Sequence, residues 1–454
     1  MIYRSARSAA LWRALGTSGL THPAWWVPGL AATLAACQIA RALPGEEPST
    51  PVTPTAEATP VDEPVPVFEN APPSETPVEP PPLDVTPGED ELMSFPFEPS
   101  VVFAGSVQLD YLAVPTDGFA RGFVFDGFTT ELSMKFSADV SEHISVQVKT
   151  CYGCHGFEIG AAYIDFRPVD DLIIRAGRFT PAFGDFPVRH DPANHLTSDK
   201  PLPYDMGRML RLRDWNMSVL PAPYVDSGLQ VTWNPAMSQA VDVEMSAYVI
   251  GGLRGSNDAT DVDFLQSRSG EFYYVDNNSR PTVGGRLALR IQAGDIFVAL
   301  GGSAMYGTYD PANDLDALLF GADLVLRGGR WAFRAEYLAR RTKMALGDDP
   351  AATFRYGPGT DGTYDPHFLK EGAYAELAFP LGLLEGVARV DAMRRRGNVV
   401  QSSELRSDSL LVRYTLGTNV PLVRDWRIKI SAELYDFSDF DDEVGLHLGV
   451  VGAF

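Results

Sequence analysis

The sequence predicts an all-β protein, a closed antiparallel transmembrane β-barrel of about sixteen strands over residues 98–454. Three observations carry this. Runs of about ten residues alternate apolar and polar side chains, the length that crosses a bilayer at a tilt. Their connections alternate between short turns and long polar loops. The last run ends the chain on an aromatic residue, Phe454.

The alternation is legible run by run. Val101–Leu112 sets Phe103, Val107, Leu109 and Tyr111 against Ser106, Gln108 and Asp110. Thr130–Ala138 sets Leu132, Met134 and Phe136 against Glu131, Ser133 and Lys135, and His143–Lys149 continues with Ile144, Val146 and Val148 on its apolar side. Val283–Gln292 and Trp426–Tyr435 repeat the pattern with Arg286, Arg290, Arg427, Lys429 and Glu433 on the polar face. Period two means a strand with one apolar and one wet face.

A soluble sandwich would alternate in the same way, so the connections discriminate. Short ones fall at Ser141-Glu142, Val169-Asp170, Asn234–Gln239, Ala293-Gly294, Gly328-Gly329, Pro380–Leu383 and Pro421–Asp425. Long ones fall at Thr180–Pro223, Gly251–Pro281, Gly307–Asp314 and Lys343–His367. Turns on one rim and loops on the other are the pattern of outer-membrane barrels, and closure removes the sheet edges. Thr180–Pro223 follows the fifth strand as the third outer loop, which in large barrels can fold inward and narrow the lumen. Glu443–Phe454, with Val444, Leu446, Leu448 and Val450 on one face, resembles the C-terminal recognition signal of such proteins.

Upstream of the barrel, residues 1–42 read as an export signal. Arg4, Arg7 and Arg13 make the positive region, and Trp25–Ala36 is an apolar stretch too short to span a bilayer. It ends in Leu34-Ala35-Ala36-Cys37, which looks like a bacterial lipobox; the alternative is ordinary cleavage after Ala42. Residues 43–97 are rich in proline and acids (Glu46, Glu57, Asp62, Glu69, Glu79 and others) and contain no Lys or Arg. Such a segment is expected to be a disordered, partly polyproline spacer, either a solvated linker or a segment with a periplasmic partner.

The chain has 454 residues and a formal net charge of −22, so no basic face is available to meet nucleic acid. No run of eighteen apolar residues occurs, so no transmembrane helix is expected. Three cysteines are too few for a disulfide framework. No Gly-x-Ser-x-Gly elbow, phosphate-binding glycine loop or His-Glu-x-x-His motif marks an enzyme.

At Asp171–Gly184 the sequence reads DLIIRAGRFTPAFG. This resembles the strand-to-loop signature of the phosphate-selective (O/P-type) porin superfamily, in which a Gly-Arg-Phe strand end leads into a Pro-Phe-Gly loop. The resemblance implies a sixteen-stranded barrel in the outer-membrane bilayer, a homotrimer, and passive diffusion of small hydrophilic solutes with some anion preference. Pore-lining candidates on the polar faces are Lys135, Lys149, Arg286, Arg290, Arg334, Arg389, Arg413, Arg427 and Lys429. They alternate with Glu131, Asp165, Asp242, Glu244, Asp323, Glu336, Asp391 and Glu433. Opposed charges across a lumen create a transverse field that rejects apolar solutes more than it selects ion sign.

One motif stands apart. Cys151-Tyr152-Gly153-Cys154-His155, expected in the outer loop between strands three and four, has the spacing of c-type haem attachment. Two thiols would add to the vinyls and His155 would bind iron. His190 and His195, in Arg189–His195, and beyond them Met206 and Met209, supply distal ligands from the adjacent long loop. Three other readings stay open: a small-ring disulfide, a tetrahedral metal site with His190 and His195, and a loop latched on the wall.

Overall fold

A computed structural model describes residues 99–114, 127–153, 156–205, 218–264, 267 and 275–454. The expected export signal, Cys37 and the linker lie outside the described residues, as do Cys154, His155, Met206 and Met209.

The strands are β1 Ser100–Ala113, β2 Gly127–Asp139, β3 Ile144–Gly153, β4 Gly156–Val169, β5 Leu172–Phe179, β6 Asp226–Trp233, β7 Val241–Ile250 and β8 Thr282–Ala293. The second half comprises β9 Ile296–Thr308, β10 Asp316–Gly328, β11 Trp331–Lys343, β12 His367–Leu381, β13 Leu384–Arg396, β14 Asp408–Pro421, β15 Trp426–Phe437 and β16 Glu443–Ala453. Each pairs antiparallel with its sequence neighbours, and β1 pairs with β16 to close the barrel. The short connections predicted from the sequence all lie on one rim, where β1 begins and β16 ends.

The outer face is apolar and exposed: Leu287, Leu300, Leu416 and Leu448 all stand clear of the protein. Exposed aromatics gather near both rims. Phe103, Phe166, Trp233, Trp331 and Trp426 sit toward the short-turn side, and Tyr111, Phe128, Tyr152, Phe157 and Tyr306 toward the long-loop side. An apolar band between two aromatic girdles is the surface of a barrel solvated by lipid. Each strand is hydrogen-bonded to a neighbour on both sides and the ring has no free edge, as a hydrocarbon environment requires.

The closing seam depends on a glycine. Gly105 exchanges both backbone hydrogen bonds with Phe454, at 2.9 and 3.0 Å. A Cβ on Gly105 would come within 2.5 Å of the Phe454 ring, so the terminal aromatic packs where a side chain is missing. The inner face is a different environment. Buried there are Phe179, Phe183, Phe186, Leu202, Tyr204, Val219, Leu220 and Tyr224, all from the end of β5 and the loop that follows it. That segment packs in one cluster with Leu253, Val262 and Phe264 of the β7–β8 connection and with wall residues such as Tyr248, Leu338 and Tyr374.

Two outcomes follow. Leu416→Arg, near the middle of β14 on the lipid face, should cost about 2–4 kcal/mol of folding free energy in denaturant titrations into lipid vesicles; an unchanged midpoint would mean this face does not meet hydrocarbon. Gly105→Val should impair assembly as deletion of Phe454 does, with less heat-resistant folded band on electrophoresis. Normal assembly of both variants would show that the seam does not need that ring.

Candidate functional site

The site is the segment 180–225 between β5 and β6. Its described residues, 180–205 and 218–225, form three short 3-10 turns at Phe186–Arg189, Pro192–Asn194 and Leu202–Tyr204, each with a proline in its first turn, and no longer regular element. Prolines suit this role because they need no backbone acceptor and pre-set the chain for tight turns. A loop of this kind is stable inside a protein only if its peptide groups find partners. Here the barrel wall supplies them.

The descent begins at Gly184, which adopts φ +67° and has its backbone N–H 3.1 Å from Ser303 on β9. A Cβ there would lie 2.3 Å from the Tyr204 hydroxyl and 2.7 Å from Glu336, so only glycine fits. Glu336 on β11 then accepts from Asp185 N–H at 3.0 Å, Phe186 N–H at 2.9 Å, Tyr204 O–H at 2.6 Å and Tyr374 O–H at 2.5 Å. Further along, basic side chains of the far wall cap the loop's carbonyls. Lys429 Nζ donates to Pro192 and Thr197 at 2.7 and 3.1 Å. Arg427 donates to Ala193 and His195 at 2.8 and 2.9 Å. Arg389 reaches Thr197 Oγ1 at 2.5 Å and the Asp199 carbonyl at 3.2 Å. Arg413 donates to the Lys200 carbonyl. Asp391 on β13 accepts from Leu202 N–H at 3.0 Å. On the return arm, Arg340 donates to the Val219 carbonyl at 2.9 Å.

The loop therefore crosses the lumen from β5 to the wall made by β11–β15, as the sequence expectation of an inward third loop required. That crossing corrects part of the expected pore lining. Arg389, Arg413 and Lys429 face inward, but they are at most 2 % exposed and lie beneath the loop, with no water to steer ions through. The reason is that the loop's carbonyls need donors more than the lumen needs charge. Lys135, Arg290, Arg334 and Arg427 are half-buried on the lumenal face, with Arg286 beside them. Arg286 is paired with Asp323 through both terminal nitrogens and Arg290 with Glu244, while Arg334 lies 3.7 Å from Glu376.

The cysteine motif is also corrected in form. Only its first half can be placed: Cys151–Gly153, expected in the outer loop, are the last residues of β3, and β4 starts at Gly156, while Cys154 and His155 lie outside the described residues. A register shift opposite Lys149 and Thr150 leaves Gly160 beside the Cys151 sulfur. The thiol is free and turns into the lumen. Its sulfur, a His190 nitrogen and an Asp191 oxygen lie within 4.8 Å of one another, so the adjacent loop does meet β3 as expected. A cation already occupies that cluster, however. Lys149 Nζ is 2.5 Å from Asp191 and 3.0 Å from His190 Nε2, while His190 Nδ1 contacts the Pro187 carbonyl at 2.5 Å. His190 thus has both ring nitrogens engaged and offers none to iron. His195 is not part of this group; its Nδ1 is 2.8 Å from the Thr197 carbonyl and its ring stands beside Phe186.

Sequence reasoning did not find Tyr204, Tyr374, Asp199 or His447 as members of the lumenal network. The alternation in β12 and β16 could have turned Tyr374 and His447 inward, but nothing local marks which loop residue each would meet.

Comparison with known proteins adds no argument to this geometry. No family model and no curated protein matches the chain. Among solved structures it is similar to OprB of Pseudomonas putida, with 8% identity and a TM-score of 0.49 over 78% of this chain and 94% of that one. It is also similar to an anion-selective porin from Comamonas acidovorans, with 11% identity and a TM-score of 0.47 over 79% and 100%. The outer-membrane channel DcaP of Acinetobacter baumannii matches with 12% identity and a TM-score of 0.45 over 78% and 97%. At these values the likenesses carry no argument, and the functional reading rests on the geometry above.

Two outcomes test the anchoring. Glu336→Ala leaves two peptide N–H groups and two tyrosine hydroxyls without their acceptor, each worth about 1–3 kcal/mol when buried. The loop should become cleavable by trypsin at Arg189 while the barrel keeps its heat-resistant band; a loop as protected as the wild type would show that Glu336 does not hold it. The second concerns pH. Burial, reinforced by the Lys149 ammonium, pushes His190 down to about 3, and burial with Lys429 holds His195 well below the usual histidine range. The anchored loop therefore binds fewer protons than the released one between about pH 6.5 and 3, so acid favours release. Tryptic cleavage assays cannot span that range, but pepsin-type proteases can. Susceptibility should rise as pH falls through this window, and a His190→Gln/His195→Gln double variant should flatten the rise. An identical pH profile in that variant would remove the histidines from the account.

Proposed function

We propose that the chain is an outer-membrane channel for passive diffusion of small hydrophilic solutes, with its aperture set by the loop 180–225. The observation that carries this is a closed barrel, apolar outside, whose charged interior is crossed by one loop fastened to the far wall. Such a loop narrows the lumen to the side it leaves uncovered. Half-buried charged groups on the inner face are available to line it: Asp185 and Arg189 from the loop, and Lys135, Arg175, Arg290 and Arg334 from the wall. A solute passing them would exchange water for charged side chains, which favours polar solutes over apolar ones.

The finer reading, a phosphate-selective channel, is supported by the Gly177-Arg178-Phe179 strand end leading to Gly184. The ion pairing argues for weak sign selection. Arg175 lies 2.7 Å from Asp165, Arg189 is paired with Asp185 at 2.6 Å, and Arg286 and Arg290 meet Asp323 and Glu244. A basic residue neutralised by its neighbour adds little net potential to a pore. The reading adopted is therefore a general diffusion channel with modest ion preference.

The spacing of Cys151, Cys154 and His155 carries a second reading, covalent attachment of a c-type haem. With His190 engaged by Lys149 and Pro187, that reading needs a distal ligand other than His190.

Purified protein in planar bilayers is expected to show single channels whose conductance rises when Asp191–Pro203 is deleted. The reversal potential in a salt gradient should stay near zero. Unchanged conductance would place the passage away from the loop, and a large anion-selective potential would restore the phosphate reading. A visible spectrum of protein co-expressed with haem-maturation machinery decides the second reading: a Soret band supports it, and a colourless protein removes it.

A further inference from the structure

The lumenal wall at the closing seam, a few strands from Cys151, holds a second cluster that the channel reading does not use. His447 on β16 is 4 % exposed. Its Nδ1 lies 2.8 Å from Asp110 on β1, which fixes the ring and directs Nε2 away from that carboxylate. Nε2 has no hydrogen-bond partner. It faces Asp199 Oδ2 of the loop at 3.5 Å and Glu433 Oε2 of β15 at 3.6 Å. These separations exceed the usual 2.7–3.2 Å of an N–H···O hydrogen bond. They match the edge of a tetrahedron around an ion with bonds of about 2.0–2.1 Å, roughly 3.4 Å between ligand atoms. One atom each from Asp199, Glu433 and His447 all fall within 4.8 Å of one another.

We infer that Asp199, Glu433 and His447 form a site for a divalent transition-metal ion such as zinc, with Asp110 as the residue that orients the histidine. A histidine bound to a metal through one nitrogen and to a carboxylate through the other is the usual arrangement of such ligands. One nitrogen and two carboxylate oxygens suit zinc better than magnesium or calcium, which take oxygen ligands. The two carboxylate oxygens already have partners: the Tyr435 hydroxyl donates to Glu433 Oε2 at 2.7 Å and to Asp199 Oδ2 at 3.3 Å, and Arg413 Nη1 stands 3.5–3.6 Å from both. A bound ion would have to take the place of a rotatable hydroxyl and of a guanidinium whose short contacts are with the Lys200 carbonyl and Asp391. At the Cys151 cluster it would have to displace Lys149, which bonds directly to both Asp191 and His190. The three ligands come from the loop, β15 and β16, so a bound ion would pin the loop to the wall beside the closing seam.

The test uses the full chain, folded in detergent, stripped with chelator and titrated with zinc chloride. Expected is one zinc per chain, with an X-ray absorption edge showing nitrogen and oxygen ligands and no sulfur. His447→Gln should weaken binding at least about 100-fold, and Asp110→Asn about tenfold or more. A Cys151→Ser/His190→Gln double variant should bind as the wild type does. Heat-resistant mobility establishes that each variant is folded; if His447→Gln is not, Glu433→Gln takes its place. Absence of zinc binding would make the cluster a metal-free ion-pair network and overturn the inference. So would a sulfur ligand, or binding lost in the Cys151/His190 variant but kept in His447→Gln. Metal binding is read without conductance, so this inference fails or stands apart from the channel reading.

Discussion

The structure depends on the capping of one loop's peptide groups by charged side chains of the barrel wall. The described residues of segment 180–225 have almost no internal hydrogen-bond ladder, yet Pro192, Ala193, His195, Thr197, Asp199, Lys200 and Val219 each present a carbonyl to a lysine or arginine of β11, β13, β14 or β15. In water these carbonyls would need no help. Inside the lumen each unpaired group would be costly, and charge-assisted donors are the strongest available substitutes. Glu336 does the converse at the start of the loop, accepting from backbone N–H groups and tyrosine hydroxyls.

That arrangement gives the lumenal charges two jobs, divided by position. Under the loop, Arg389, Arg413 and Lys429 are structural, fully paired and dry. Beside it, half-buried pairs such as Arg175 with Asp165 and Arg189 with Asp185 face the remaining space. Strand alternation places both groups on the same inner face, so their difference arises only from where the loop lies. The wall is also relieved of side chains where the loop presses closest: a Cβ at Gly372 would meet Pro203 at 2.9 Å, and one at Gly449 would meet Asp110 and Ser198 at 2.8 and 3.1 Å.

The Cys151 hairpin and the His447 cluster illustrate how neighbouring strands convert inward positions into chemistry. In both, a histidine, a carboxylate from the loop and a wall residue converge. One contains a lysine ammonium bonded directly to its partners; in the other the nearest guanidinium, Arg413, stands 3.5–3.6 Å from the carboxylates and a buried imidazole nitrogen is left without a hydrogen bond. How closely a wall cation meets the carboxylates, more than residue type, separates an internal ion pair from a site that would take up an ion.

The strands, their number, the rim on which each connection lies and the inward third loop were legible in the sequence. Period-two alternation is a local property, and a bilayer fixes both strand length and which face is apolar. The pairing of Phe454 with Gly105 was half legible: the terminal aromatic was marked, its glycine partner was not. What only the tertiary structure decided is which inward residues meet. Asp199 lies 234 positions from Glu433 and 248 from His447 along the chain, and no local pattern encodes where an irregular loop will land. The same holds for Arg389, Arg413 and Lys429. Their alternation made them look like a charged pore lining, and the loop above them made them its anchors, because a buried carbonyl claims the nearest donor that the wall can offer.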